Sequence, residues 1–317
     1  MKLMKKITKA LVLLSGGLDS ILAAEALKRQ GVKVVGLSFK SYFFDARAAE
    51  KAAEDLKIPL RIVDFSEEHL AMLKNPKHGY GKAMNPCIDC HVLMLKKSRE
   101  VMKKDGFDFV ATGEVLGERP MSQTSRALKL IEKESSLSGF LLRPLSAKLL
   151  KITLPEQEGL IERSNFFDIS GRSRKKQSAL ARAWHIHNYP SPAGGCLLTD
   201  KIFGQKLREL LAVCQECGEK DVVLLKYGRH FWFDKIKIVV GRNEVENQKI
   251  KTLASGGDVV IEMIDYPGPL TVIKNYSRKA LNPDILTKAE ELTRSYSAKA
   301  RELTKDVKFN IIKHPKK

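Results

Sequence analysis

Two short stretches of this sequence hold residue types that can do chemistry. The first is Ser15-Gly16-Gly17-Leu18-Asp19-Ser20. Paired glycines let a backbone turn tightly and approach a ligand closely. If a helix starts there, its first amides and its dipole face an anion. Ser15 and Ser20 can donate hydroxyl hydrogen bonds to phosphate, and Asp19 can orient a magnesium ion or a water. No Gly-Lys-Ser/Thr ending follows, which separates this loop from the usual GTPase-type nucleotide loop. The second stretch, Asn85-Pro86-Cys87-Ile88-Asp89-Cys90-His91, carries two thiols three residues apart. They are within reach of one metal ion or cluster, or of each other as a redox pair. A further thiol, Cys196, follows the turn Ser191-Pro192-Ala193-Gly194-Gly195, of the kind that brings a backbone close to another group. Cys214 and Cys217 repeat the spacing without a further ligand nearby in sequence, so they read as thiols at a helix end, not as a second metal site.

The surrounding pattern sets where these residues must sit. Short β-rich runs alternate with helical patterns: strand Ala10–Leu14, helix Ile21–Arg29, strand Val32–Phe39, helix Ala46–Leu56, strand Leu60–Asp64, helix Val92–Lys104 and strand Phe107–Thr112. Such alternation predicts right-handed βαβ units and a parallel sheet. Ligands of these sheets bind beyond the carboxyl ends of the strands. Ser15–Ser20, Ser38–Lys40 and Gly113–Gln123 all fall there. The pattern changes near Asn188–Gly195. Beyond it come a helix (Phe203–Val213), β-like runs (Val222–Tyr227, His230–Phe233, Ile236–Val240, Val259–Met263) and a charged helix (Thr287–Leu303). The expected organisation is an α/β parallel-sheet domain over 1–200, followed by a smaller α+β domain over 201–317.

Composition narrows the partners. The chain has 317 residues, 43% hydrophobic and 29% charged, with 56 Lys and Arg against 37 Asp and Glu. A net charge of +19 favours a polyanion, because Lys and Arg contacts to phosphate release counterions. The apolar run at Ala10–Leu14 falls short of the ~7–15 residues of a secretory h-region. No apolar segment approaches the ~18 residues of a membrane span. The reading is a cytoplasmic protein with no membrane partner. Five cysteines are an odd number, and in that compartment metal or sulfur chemistry is a better prior than disulfides.

The hexapeptide at 15–20 matches the S-G-G-x-D-S signature of the PP-loop (N-type ATP pyrophosphatase) superfamily, whose domain is adenine nucleotide alpha hydrolase-like. The resemblance implies that Ser15, Gly16, Gly17, Asp19 and Ser20, with Ser38 and Gly113, hold ATP and Mg2+, and that ATP is cut between its α and β phosphates. Asn85-Pro86-Cys87-Ile88-Asp89-Cys90, the later Cys196 and the segment Gly113–Gln123 resemble the tRNA thiouridine synthases of that superfamily, over about residues 9–200. That resemblance implies adenylation of a uridine carbonyl oxygen and its replacement by sulfur, giving 2- or 4-thiouridine. It casts Asp19, Cys87 and Cys196 in the chemistry, and sulfide or a cysteine desulfurase as sulfur donor. Two mechanisms occur in the family. A 4Fe-4S cluster can be held by three thiolates, here Cys87, Cys90 and Cys196, with one iron open; alternatively one cysteine carries a persulfide that a second releases. A zinc ion with His91 as fourth ligand is the remaining option.

The basic run Gly171-Arg172-Ser173-Arg174-Lys175-Lys176-Gln177 opens a helical pattern to Trp184 and offers Arg172, Arg174, Lys175 and Lys176 as RNA or nucleotide contacts. In the second half, Val239-Val240-Gly241-Arg242-Asn243-Glu244-Val245-Glu246-Asn247 resembles the RNA-binding module of the NFACT proteins of ribosome quality control, over about 220–275. That implies that this half binds tRNA, with Arg229, His230, Trp232 and Arg242 pairing cations with aromatic rings. Nothing resembles the THUMP domain of some 4-thiouridine synthases. Competing readings are a PP-loop ligase or amidotransferase with an amine nucleophile, which needs no cysteines, and a non-catalytic RNA-binding factor, which needs no Asp19. A homodimer is compatible with the sequence.

Overall fold

The apolar run near the N-terminus is the middle strand of a parallel sheet. In the computed structural model, which describes residues 7–191, 196–277, 279–302 and 306–315, it forms β1 (Lys9–Leu13). The chain continues through α1 (Leu18–Lys28), β2 (Lys33–Lys40), α2 (Arg47–Leu56), β3 (Leu60–Asp64), α3 (Ser66–Lys74) and α4 (Cys87–Asp105). Then come β4 (Phe109–Thr112), α5 (Ser125–Glu134), β5 (Leu141–Leu142), α6 (Leu154–Gln157) and α7 (Lys175–Ala183). The strand order is β3-β2-β1-β4-β5, with every pair parallel. A parallel strand covered on both faces reads as an unbroken apolar run, not as an alternation. Ala10, Val12 and Leu14 pack with Ala24, Ala49 and Ala52 of α1 and α2. Leu11 and Leu13 pack on the other face with Leu37, Phe39, Phe65 and residues of α4. Burial of a side chain such as Leu11 or Leu37 stabilises by roughly 1.5–3 kcal/mol.

The sheet grows outward from β1 to β3, then the chain returns to add β4 and β5 on the other side of β1. A reversal of this kind opens a crevice at the carboxyl ends of the strands, here between β1 and β4. That is where Ser15–Ser20 and Gly113 emerge.

The chain packs as two units, Met1–Asp200 and Lys201–Lys317. The second contains α8 (Lys201–Val213), α9 (Glu219–Leu224), β6 (Arg229–Phe233), β7 (Ile236–Val240), α10 (Glu244–Leu253), β8 (Val259–Met263), β9 (Thr271–Asn275), α11 (Pro283–Ser295) and β10 (Phe309–Lys313). Its sheet runs β10-β8-β9-β7-β6, antiparallel throughout. Val239, Val260 and Val272 face a core shared with Ile250 of α10, while Ile238, Ile261 and Ile273 face one shared with Ala289 of α11. No helix among the described residues is long and apolar enough to cross a membrane.

Several elements differ from the sequence expectation. The β-like run Val222–Tyr227 is not a strand: its first half is the end of helix α9 and the rest is turn. The amino end of α9 is fixed by the Asp221 carboxylate, which accepts from the Gly218 amide at 3.2 Å, and Val222 and Leu224 are buried. A six-residue apolar run is too short for its period to separate strand from helix. The charged helix expected at 287–303 starts earlier, at Pro283, where the Asn282 side chain accepts from the Asp284 amide at 3.1 Å, and also ends earlier, at Ser295. Residue 303 lies outside the described residues, as do 192–195 of the proline- and glycine-rich turn.

The second unit buries an unusual row of polar residues. Trp232, Lys237 and Lys274 stand opposite one another across β6, β7 and β9. Lys274 pairs with Asp258 at 2.8 Å and Asp221 at 3.3 Å. Lys237 is 1% exposed and stands 4.9 Å over the Trp232 ring. Burial, with help from the Lys206 charge, brings its ammonium down to about 7. An unfolded lysine titrates near ~10.4, so the unfolded chain binds more protons across the window between. Stability should therefore rise with pH from about 7 to ~10.4 and be lost as pH falls through it. Lys237→Met, which keeps the volume without the charge, is expected to gain about 1–4 kcal/mol near neutral pH. It should also flatten that rise in melting curves of the full chain; an unchanged slope would exclude the Lys237 ammonium as its source.

Candidate functional site

The loop after β1 is shaped by backbone contact. Gly16 has φ +80°, and a Cβ there would lie 2.3 Å from the carbonyl group of Ala48. Gly113 follows β4, and a Cβ on it would lie 2.5 Å from the peptide joining Asp19 and Ser20. Two backbones thus meet where no side chain fits. Inside the loop the Ser15 amide donates to Ser20 Oγ at 3.3 Å, and Ser20 Oγ donates to the Gly17 carbonyl at 2.8 Å. Gly17 is the N-cap of α1, so the first-turn amides of an eleven-residue helix open at this point, without intrahelical acceptors.

A cavity of about 500 Å³ sits over the loop. Ser15, Gly17, Asp19 and Ser20 line it together with Ser38, Thr112, Gly113 and Glu114, so the three sequence segments meet on one wall. Gly16 supports the loop from behind. His91, Glu118, Arg119, Arg174 and Cys196 also line the cavity, among apolar residues such as Leu37, Phe39 and Met94. Burial pushes the Asp19 carboxyl up, and the Arg174 charge, the nearby Gln177 amide and Arg119 pull against it. Asp19 Oδ1 is buried with no hydrogen-bond partner, and a buried acceptor of that kind fits a magnesium ion held beside phosphate. Burial and the Asp19 charge also push Glu118 up.

The cysteines lie on the α4 side. The C-x-x-C spacing occupies the first turn of α4, earlier than the amphipathic pattern from Val92 suggests, with Pro86 at the N-cap. Asn85 Nδ2 donates to Cys87 Sγ at 3.1 Å, and Cys90 packs on the core beside β1 and β2. Burial pushes the Cys90 thiol well up, and Cys196 and Cys87 each add to the rise; burial and Cys87 do the same for Cys196. The three sulfurs therefore share one electrostatic neighbourhood, and only Cys196 reaches the cavity wall. In kind and number they fit a group held by three thiolates. As they stand, no three His, Cys, Asp or Glu side chains among the described residues are drawn together enough to hold a metal ion. His91, the fourth ligand of the zinc option, bonds through Nδ1 to Glu114 Oε1 at 2.8 Å. None of the five cysteines forms a disulfide.

That Glu114 contact belongs to a network with no signal in the sequence. Arg143 Nε donates to Glu114 Oε2 at 2.9 Å, Thr112 Oγ1 donates to the same oxygen at 3.0 Å, and Arg143 also pairs with Glu132 at 3.0 Å. Burial acts to raise Glu114, but Arg143 and His91 outweigh it and hold the carboxyl at about 2. Arg143 is distant in sequence and sits in an otherwise apolar stretch, so spacing alone does not find it.

The basic candidates divide. Arg174 lines the cavity; Arg172 and Lys175 are exposed, and Lys176 pairs with Asp168 at 2.8 Å. In the second unit Arg229 stands 4.4 Å over the Tyr296 ring and reaches the Gly241 carbonyl at 3.5 Å. Arg242 Nε donates to Glu246 at 2.9 Å, next to Arg229 at the same end of the β6–β7 pair. The His230 ring nitrogens and the Trp232 indole nitrogen are buried without partners. Burial, then Lys237 and Lys206, hold the His230 imidazole down at about 2. The polar ring atoms of these two residues are therefore closed to solvent, while each residue as a whole is half-buried.

Comparison with known proteins agrees with the two resemblances carried by the motifs. Residues 6–152 match the family model described as thiamine biosynthesis protein (ThiI), and residues 228–317 match that described as NFACT protein RNA binding domain. The chain is 27% identical over 205 residues to the tRNA-specific 2-thiouridylase MnmA of Geotalea uraniireducens, covering 56% of this chain and 50% of that one. It is 30% identical over 157 residues to the enzyme of the same name from Helicobacter pylori, covering 46% of each. The chain spans about half the length of these curated relatives. Among solved structures it is similar to a 4-thiouridine synthetase–RNA complex with bound ATP, at 21% identity and a TM-score of 0.36, over 56% of this chain and 50% of that one.

Two outcomes follow from the geometry. Gly113→Ala must push the loop peptide away, so it is expected to cost about 1–3 kcal/mol in urea denaturation. A wild-type value would refute the close approach. Glu114→Gln leaves Arg143 buried beside a neutral amide and should cost about 3–5 kcal/mol. Since the folded carboxyl titrates at about 2 and an unfolded one near ~4.3, the wild-type advantage is present above ~4.3 and lost as pH falls toward 2. A difference between the two proteins that does not change over that range would count against the ion pair.

Proposed function

We propose that this chain is an ATP-dependent tRNA sulfurtransferase that adenylates a uridine carbonyl oxygen and exchanges it for sulfur, giving 2- or 4-thiouridine. The observation that carries the reading is the shared cavity: a glycine loop with an unpartnered buried Asp19 oxygen and the Cys196 thiol line the same space. A nucleotide loop needs no cysteine to bind ATP, and a thiol beside it suits a sulfur nucleophile arriving at the carbon that ATP has activated.

The chemistry divides among the residues as follows. The amides at the start of α1, with Ser15 and Ser20, bind the β and γ phosphates, and Asp19 holds Mg2+ against them. The uracil carbonyl oxygen then bonds to the α phosphorus, the α–β bridging bond breaks, pyrophosphate departs with the electron pair, and the N3 proton passes to water. The oxygen, a poor leaving group on its own, can now leave as AMP when sulfur bonds to the same carbon. Cys87, Cys90 and Cys196 would hold a 4Fe-4S cluster, which when bound supplies an open iron for sulfide. The crevice keeps ATP, uridine and sulfur together and limits hydrolysis of the adenylate. The tRNA partner is supported by the surplus of 56 Lys and Arg over 37 Asp and Glu and by the match of residues 228–317 to an RNA-binding family. Sulfide or a cysteine desulfurase is the sulfur source.

The test is iron and acid-labile sulfide analysis of anaerobically purified protein, with nucleoside mass spectrometry after incubation with ATP, tRNA and sulfide. The expected result is about four irons per chain with a broad brown absorbance, both lost in Cys196→Ala together with thiouridine formation. Iron-free protein that makes thiouridine only when a cysteine desulfurase with cysteine replaces the sulfide would replace the cluster with a persulfide relay. Protein that makes none would overturn the sulfurtransferase reading in favour of an amine nucleophile.

A further inference from the structure

The sequence places Arg174 among cations of a basic run that suits RNA, but its surroundings are those of a nucleotide ligand. It is the N-cap of α7, and of Arg172, Arg174, Lys175 and Lys176 it alone lines the loop cavity. Its guanidinium stands 3.7 Å from Asp19 Oδ2, with the side chain 23% exposed. Arg174 Nε is buried without a hydrogen-bond partner, and Asp19 Oδ1 and the Gln177 amide beside it make no hydrogen bond of ordinary geometry, although the amide is near enough to draw the Asp19 carboxyl down. Gln177 itself is wholly buried, one turn along α7. Each unpaired buried polar group costs about 1–3 kcal/mol, and unpaired groups are few in folded proteins. Several of them together beside an anion-binding loop is the arrangement expected where a ligand and its cation supply the missing partners: acceptors for Arg174 Nε and the Gln177 Nε2, and a cation or donor for the Asp19 and Gln177 oxygens.

We propose that Arg174 is a catalytic residue of the adenylation step: its guanidinium binds the phosphates of ATP and stabilises the negative charge that collects on the α–β bridging oxygen as pyrophosphate leaves. This rests on the cavity being an ATP site. Arg174 is fixed to the same body as the loop. Ala181 of α7 is buried against Leu18 and Leu22 of α1, and Arg29, just beyond α1, lies 4.8 Å over the ring of Trp184, which ends α7. Arg119 also lines the cavity but is exposed, so its position is not set in advance. A guanidinium held in place offers a planar fork that matches two phosphate oxygens, and little ordering remains to be done when the ligand arrives. Arg174 rests on Asp19 at 3.7 Å, and the phosphates of ATP give it a better partner. The step balances as written above: one carbonyl oxygen–phosphorus bond forms, the α–β bridging bond breaks, pyrophosphate takes the electron pair, and Arg174 keeps its own protons throughout.

The experiment compares Arg174→Ala, Arg174→Lys and Arg172→Ala in the full chain. The readouts are tRNA-dependent pyrophosphate release, binding of Mg-pyrophosphate by calorimetry, and tRNA binding by filter retention. Arg174→Ala is expected to lower pyrophosphate release at saturating tRNA by about 100-fold or more and to weaken pyrophosphate binding. Its affinity for tRNA should stay within about threefold of wild type, a change worth less than 1 kcal/mol. Arg174→Lys should recover only part, being a point charge without the fork, and added guanidinium should restore part of the alanine variant. If Arg174→Ala instead weakens tRNA binding as Arg172→Ala does, with pyrophosphate binding and release at saturation unchanged, Arg174 belongs to the RNA surface and the proposal fails. If the wild type releases no pyrophosphate with tRNA, the sulfurtransferase reading falls, while calorimetry still decides whether Arg174 holds phosphate. Should the alanine variant not fold, the lysine variant carries the same comparison.

Discussion

The close approach of two backbones at the centre of the parallel sheet governs everything built around it. Gly113, at the end of β4, leaves no room for a Cβ against the peptide between Asp19 and Ser20, and Gly16 leaves none against Ala48. These contacts fix the loop from two sides. The loop in turn sets the direction in which α1 begins, and so where its amides point. Side-chain packing alone would not hold such a turn, because Ser15 is exposed and Gly17 half-buried. The sheet supplies the rest: β1 lies between β2 and β4 in parallel register, so their carboxyl ends, with Ser38 and Gly113, come to the same crevice.

Electrostatics separates the groups that support the site from those that can act in it. Glu114 is buried, but it is surrounded by Arg143, His91 and Thr112, and these hold it ionised at about 2. That network is satisfied on every side and behaves as scaffold. Asp19, Glu118, Cys90 and Cys196 behave in the opposite way, because burial raises each of them without a partner that fully offsets it. Groups left in that state are concentrated where ligands bind. Here Asp19, Glu118 and Cys196 line one cavity and Cys90 shares the field of Cys196; the satisfied Glu114 stands on the same wall, and Arg143 is not part of the lining.

Much of this was legible in the sequence, for reasons that differ by residue. The strands at 10–14, 32–39 and 60–64 are long apolar or β-branched runs bounded by turns, and the glycine loop has a short-range signature, so both survive without tertiary information. The charge network is invisible because its members lie far apart in sequence. Thr112 and Glu114 are two residues apart, but His91, Glu132 and Arg143 join them only through the fold. Arg174 was visible as a cation and was grouped with its neighbours by composition. Its removal from that group depends on how α7 packs against α1, which no local pattern encodes. The helix at α9 was missed for a simpler cause: two adjacent valines look like a strand until the capping Asp221 is placed.

The second unit shows how a short motif can point to a function while doing something else. In Gly241-Arg242-Asn243-Glu244-Val245-Glu246-Asn247, Asn243 caps α10 by accepting from the Glu246 amide at 3.0 Å, and Glu246 accepts from the amides of Gly228 and Arg242 at 3.0 and 3.2 Å. Asn247 Oδ1 accepts from the Leu270 amide at 3.0 Å, and a Cβ on Gly241 would come within 2.0 Å of that oxygen. The motif is therefore consumed in tying the β7–α10 connection to β6 and to the approach to β9. Arg242 spends its guanidinium on Glu246, and Arg229 spends part of its own on the Gly241 carbonyl and the Tyr296 ring. What is left for a polyanion is the general excess of cations and whatever share of these two side chains a phosphate can win. Glu246 is 12% exposed but the Arg242 side chain is 48% exposed, so water screens the pair in part and the open side of the guanidinium stays within reach of a phosphate. Identical motif residues can thus serve the fold in the free protein and leave one cation able to change partners.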